Sequence, residues 1–172
     1  MNKLIKIAII IIVPQLILAA CQTNSKDQQT LSPLTGDISY RQLTIAYPYF
    51  QTTHSTPQEP AESIAKLKAI SEATQLTVFF GVWCHDSVRE VPALLRLLDD
   101  VNNPNISYQL ISLDKTKQEP LGRAKDNNIL YTPTIIVSQS GKELGRIVEK
   151  PEQDLATDLA TILLVDHSSS EH

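Results

Sequence analysis

The stretch FFGVWCHDSVREVP, Phe79 to Pro92, decides how the chain is read. It begins inside the apolar run LTVFFG (76–81), which has the composition of a strand buried on both faces. It ends in a segment with Val88, Val91, Leu95 and Leu98 at helical spacing, so a helix is expected from about Asp86 to Val101. Between the two stand Trp83, Cys84 and His85, with Ser87 three residues beyond the cysteine. A cysteine at a helix start faces unpaired backbone N–H groups and the positive end of the helix dipole, and both favour thiolate over thiol. Thiols so placed have pKa values roughly 1 to 5 units below the free value of about 8.5. His85, when protonated, adds to the effect as a neighbouring cation. Ser87, one turn along, can donate a hydroxyl hydrogen bond to the sulfur. Asp86 opposes them with its negative charge and is expected to turn to solvent. On balance Cys84 is expected to be a nucleophile at neutral pH.

Outward from this stretch, strands and helices alternate. Pro60 to Glu72 reads as a helix with Ile64, Ala65 and Leu67 on one side. ISYQLISLD (106–114) reads as a strand and Glu119 to Asn127 as a short helix. TPTIIVSQSGKELGRIVE reads as two strands joined by a hairpin at Ser140-Gly141. A last helix is expected over about 152–165, with Leu155, Leu159, Ile162 and Leu163 on one face. Upstream, Ile38 to Phe50 is apolar and aromatic (Tyr40, Tyr47, Tyr49, Phe50) and reads as a strand, its aromatic side chains serving as packing. A Thr/Pro-rich stretch (52–60) follows it. The expected fold class is α/β, a central mixed sheet with helices on both faces.

The 172 residues hold room for one ordinary domain with appendages. At 42% hydrophobic and 20% charged residues the chain is globular rather than disordered. A net charge of -4 and the absence of a basic cluster argue against nucleic-acid binding. Lys3 and Lys6 precede an apolar run, Ile7 to Ala20, broken by Pro14 and Gln15; it is too short for a spanning helix but suits a secretory signal. Leu18-Ala19-Ala20-Cys21 resembles the lipobox of bacterial lipoproteins. That resemblance implies cleavage before Cys21, a lipid on its sulfur, and location in the cell envelope. Gln22 then implies outer-membrane sorting, facing the periplasm, if the cell is Gram-negative. Residues 21–36 read as the lipidated cysteine and a polar tether, 37–166 as the domain, and 167–172 as a polar tail. Of two cysteines, Cys84 would then be the only thiol in an oxidising compartment.

Over residues 60–165 the sequence resembles the thioredoxin superfamily, in particular lipid-anchored or periplasmic members with a Trp-Cys-x-Asp-Ser motif. The resemblance rests on FFGVWC, on Pro92 eight residues after Cys84, on YTPT with Pro133 before a strand, and on the hairpin SGKELGRI. It implies a thioredoxin-like fold, a cis bond before Pro133, pairing of the Thr132 backbone with an extended client segment, and Trp83 as an apolar wall. Two departures stand out. Ser87 occupies the place of the second cysteine, and Val78 occupies the place of the buried acid that serves that second sulfur. They are mutually consistent, and argue against a dithiol disulfide reductase.

The functional expectation is a membrane-anchored monothiol oxidoreductase. Cys84 forms mixed disulfides with envelope proteins, Ser87 and His85 tune the sulfur, and Trp83, Thr132 and Pro133 bind the client. The second thiol comes from the client or from an external thiol reductant. The alternative is a non-catalytic client-binding lipoprotein that keeps the groove alone. No cofactor and no metal are expected, since His54, His167 and His172 have no partners at ligand spacing. A Cys-His-Asp hydrolase is rejected because Cys84, His85 and Asp86 are adjacent at a helix start and point in different directions.

Overall fold

The computed structural model describes residues 34–51 and 59–165. The signal, Cys21, most of the tether, most of the Thr/Pro-rich stretch and the polar tail lie outside the described residues. Strand β2 (Thr74–Phe80) is the centre of the sheet. It pairs in parallel with β3 (Ile106–Ser112), with Val78 opposite Leu110, and antiparallel with β4 (Thr134–Gln139), with Val78 opposite Ile135. The hairpin partner of β4 is β5 (Lys142–Val148), and Ser140 and Gly141 make the turn with φ of 51° and 79°. Positive φ at both positions is what a two-residue hairpin of matching twist requires. The short strand β1 (Gly36–Asp37) pairs antiparallel with β3, completing the order β1-β3-β2-β4-β5 among the described residues.

The pleat of β2 sends alternate side chains to opposite faces, and each face has its own cover. Leu76, Val78 and Phe80 join the larger core with helices α2 (Ala61–Lys68), α3 (His85–Val101) and α5 (Leu155–Leu164). Phe79 points the other way, into a smaller core with Ile111, Leu113, Ile136, Ile129 and Ala124 of α4 (Arg123–Asp126). The mixed sheet with cover on both faces is the expected architecture.

Three local expectations are corrected. Residues 38–50 are not a strand: α1 (Tyr40–Ala46) and a 3-10 turn (Pro48–Phe50) occupy them. Ser39 and Gln42 form a reciprocal capping box, Gln42 N–H to Ser39 Oγ at 3.2 Å and Ser39 N–H to Gln42 Oε1 at 3.0 Å. That arrangement satisfies helix-start donors and favours a helix over a strand. Leu43 and Phe50 carry its apolar side into the core. In α2 it is Ser63, bonded to Thr157 at 2.8 Å, rather than Ala65 that is buried beside Leu67. The helix expected over 119–127 shrinks to α4, because Pro120 has no N–H to give and Gly122 has a φ of 74°.

Candidate functional site

The chain leaves β2 at Phe80, turns through Gly81, Val82 and Trp83, and enters α3 with Cys84 as N-cap residue. Its neighbours in the sheet, β3 and β4, lie on opposite sides of β2. The loop therefore leaves the carboxyl end of the central strand beside the start of β4, which directly follows the Thr132–Pro133 bond. Cys84 N–H donates to Gly81 O at 3.0 Å and Val88 N–H to Cys84 O at 3.1 Å, so backbone bonds on both sides hold the cysteine. The Trp83 ring lies over Gly81, where a β-carbon would stand 2.6 Å from Trp83 Cε2. Only glycine allows that approach. Trp83 Nε1 donates to Leu113 O at 3.2 Å, and the ring keeps 37% of its surface exposed, enough to meet a partner.

The peptide bond Thr132–Pro133 is cis, as the resemblance implied. Thr132 lies against Cys84: the Cys84 Sγ–Thr132 O distance is 3.0 Å. The same loop is held by Thr134 Oγ1 donating to Tyr131 O at 2.8 Å and by Glu149 N–H donating to Pro133 O at 2.7 Å. Sequence positions 84, 87 and 132–133 thus converge, and Trp83 flanks them. Thr132 and Pro133 are buried.

Opposing influences act on the Cys84 thiol. Partial burial pushes its pKa up. The Thr132 side chain, the Ser87 N–H, the Ser87 hydroxyl and the Asp86 N–H together pull it down, and the net position is below the ordinary thiol value. The two contacts with Thr132 act in opposite senses. The carbonyl can only accept the S–H proton and so holds the thiol, whereas the side chain favours the thiolate. The amides of Asp86 and Ser87 favour the charged sulfur, and no side-chain cap hydrogen bond is closed to the neutral thiol. Ser87 is fully buried, and its oxygen also accepts the Gly81 N–H at 3.2 Å.

His85 stands exposed on the first turn and is not among the groups that act most strongly on the sulfur. Asp86 does not simply face solvent: its carboxylate pairs with Arg89 at 2.8 Å, which offsets the charge expected to oppose the thiolate. One contact had no signal in the sequence. Tyr49 hydroxyl donates to Val82 O at 3.1 Å across 33 positions. Among the described residues no group of three or more His, Cys, Asp or Glu is arranged to hold a metal ion.

An α/β domain with one thiol at the start of the helix after its central strand, facing a cis-proline loop, defines a thioredoxin-fold protein. The thioredoxin family profile matches residues 49–160, and the chain belongs to that family. Among solved structures it is similar to a protein of unknown function from Pseudomonas aeruginosa (22% identity, 69% of this chain and 74% of that one, TM-score 0.48). It is also similar to Trxlp from Edwardsiella tarda (17% identity, 61% and 94%, TM-score 0.43). A third similar structure is mitochondrial thioredoxin 3 from Saccharomyces cerevisiae (18% identity, 59% and 85%, TM-score 0.40). No curated protein matches the chain.

Proposed function

We propose that this protein is a lipid-anchored monothiol oxidoreductase of the cell envelope. The observation that carries the reading is Cys84 at the N-cap of α3 with its sulfur 3.0 Å from the carbonyl before the cis proline, in a setting that favours thiolate. The thiolate attacks one sulfur of a client disulfide, forming the Cys84–client bond and releasing the other client sulfur as a thiolate. A second thiol, from the client or from an external reductant, then attacks the mixed disulfide. The new bond forms at the client sulfur, Cys84 leaves as thiolate, and no net electrons stay on the enzyme. Ser87 cannot take the place of that second thiol, so the mixed disulfide is long-lived. The Leu-Ala-Ala-Cys signature supports an anchor at Cys21.

The test is iodoacetamide alkylation of the full chain across about pH 4 to 9, followed by Cys84, with recovery of DTT-sensitive client adducts from cells. We expect a reaction midpoint below about 8.5 and adducts that vanish in Cys84→Ala. A thiol that reacts only above that value, with no adducts, leaves the client-binding reading instead. Loss of incorporated fatty acid in Cys21→Ser checks the anchor separately.

A further inference from the structure

Two consecutive residues ahead of the domain core grip the loop that carries the nucleophile. Phe50 is fully buried with its ring edge-on to Phe80, the last residue of β2, at 5.6 Å. Tyr49, its ring 5.4 Å from Phe50, reaches past it and donates its hydroxyl to Val82 O at 3.1 Å. The segment that presents them is itself fastened. Ile38 N–H donates to Leu110 O at 3.1 Å, Tyr40 hydroxyl to Phe50 O at 3.3 Å, and the Arg123 guanidinium holds Asp37 through two bonds of 2.9 and 3.0 Å. The family match begins at residue 49, so β1 and α1 lie ahead of the matched region and end at the site.

We propose that Tyr49 is a positioning residue for Cys84, its hydroxyl fixing the Val82–Trp83 peptide and with it the loop that delivers the sulfur to the start of α3. The inference rests on the reading of Cys84 as the reacting thiol. The carbonyl of Val82 and the N–H of Trp83 belong to one rigid plane, so holding the oxygen orients the amide and the chain that follows it. The bond also directs a partial negative charge toward Tyr49 and engages it there. Freed, that plane can rotate, Trp83 loosens over Gly81, and the sulfur loses its fixed alignment with the amides of Asp86 and Ser87. Tyr49 is half-exposed, so little packing is at stake in its hydroxyl; its worth lies in direction.

The experiment uses the full chain in a Cys21→Ser background, where Cys84 is the one thiol, and compares Tyr49→Phe with Tyr40→Phe. Trp83 is the chain's one tryptophan, so its quenching by acrylamide reports on the loop. Tyr49→Phe is expected to raise the midpoint of the alkylation profile by a few tenths to about one unit, as loss of one hydrogen bond allows, and to raise Trp83 quenching. Tyr40→Phe, which removes the bond to Phe50 O and so loosens the same segment without removing the bond to Val82 O, should lower Tm and move both readouts less than Tyr49→Phe does. A Tyr49→Phe chain with unchanged midpoint and unchanged quenching overturns the proposal, whatever its Tm. An inert Cys84 in the parent chain sinks the enzyme reading instead, and the tryptophan readout, which needs no reacting thiol, then decides the role of Tyr49.

Discussion

Ser87 shows how much one hydroxyl can be asked to do when it replaces a thiol. Its oxygen accepts the Gly81 N–H at 3.2 Å and its hydroxyl helps to lower the Cys84 pKa, both without exposure to water. Ser87→Ala leaves a buried N–H without its partner and is expected to cost about 1–2 kcal/mol of stability. It should also move the Cys84 titration upward. The pH dependence has a definite sign. A thiol whose folded pKa lies below the unfolded value of about 8.5 contributes no stability while both states are protonated. Its contribution grows as pH rises through the folded pKa and is full above the unfolded one. The depression is smaller in Ser87→Ala, so the variant should lose more stability at about pH 9 than at about pH 5. Urea melts at the two pH values check this; an equal loss at both would mean the hydroxyl serves only Gly81.

Among the elements, those whose signal was local were legible and those held from a distance were not. The apolar run of β2, the helical spacing of α3 and the Ser140-Gly141 hairpin needed only neighbouring residues, and the structure places them within a few positions of expectation. The residues from 38 to 50 carry the aromatic content of a strand but form a helix and a 3-10 turn. Tyr40, Leu43, Tyr47 and Phe50 in fact recur at helical intervals on the packed side, behind the Ser39 cap. Cys84 and Ser87 were legible as a helix start, whereas Tyr49 was invisible because its partner is a backbone oxygen brought near only by folding. Helix α4 belongs with the second kind. Four residues cannot hold a helix by propensity, so Glu119, whose side chain is fully enclosed, does so from outside. It accepts from Leu121 N–H at 3.0 Å, from Arg123 N–H and from the Arg123 guanidinium at 3.2 Å, while Arg123 reaches across to Asp37. Burial pushes the Glu119 carboxyl up, but the Leu121 amide and Arg123 bring it below its usual value. A depressed carboxylate stabilises the fold above the unfolded pKa of about 4.3 and loses that contribution as pH falls through the folded value. Glu119→Gln should therefore cost about 2–3 kcal/mol near neutrality and flatten the acid limb of the stability curve. Denaturant melts between about pH 3 and 7 test it, and an unchanged acid limb would assign the acid sensitivity elsewhere.

At the scale of the whole molecule, the sheet is that of a thioredoxin fold, and three residues after Cys84 the helix carries the hydroxyl of Ser87. Val78, fully buried on the core face of β2 between Leu110 and Ile135, offers no carboxylate to move a proton, and Ser87 offers no thiol to attack a mixed disulfide. What the fold retains is the placement. Ser87 and Cys84 stand one turn apart at the start of one helix, where the Ser87 hydroxyl helps to lower the thiol's pKa. Ser87→Cys should therefore restore a dithiol without rebuilding the backbone, since only a weak thiol acceptor replaces the hydroxyl at Gly81. Under oxidation this variant is expected to lose the mass of two hydrogens as Cys84 closes onto the introduced sulfur. In cells its client adducts should become scarce, because an internal thiol now attacks the mixed disulfide at high effective concentration. Adding Val78→Asp should not improve on this, because an uncompensated carboxylate in that dry strand costs several kcal/mol, on the order of the chain's spare stability. Intact mass and non-reducing gels of Cys84 adducts from cells measure the outcome. If the disulfide closes yet adducts persist as in the parent chain, the missing sulfur is not what sets their lifetime, and the clients are held by the groove around Trp83 and Thr132 instead.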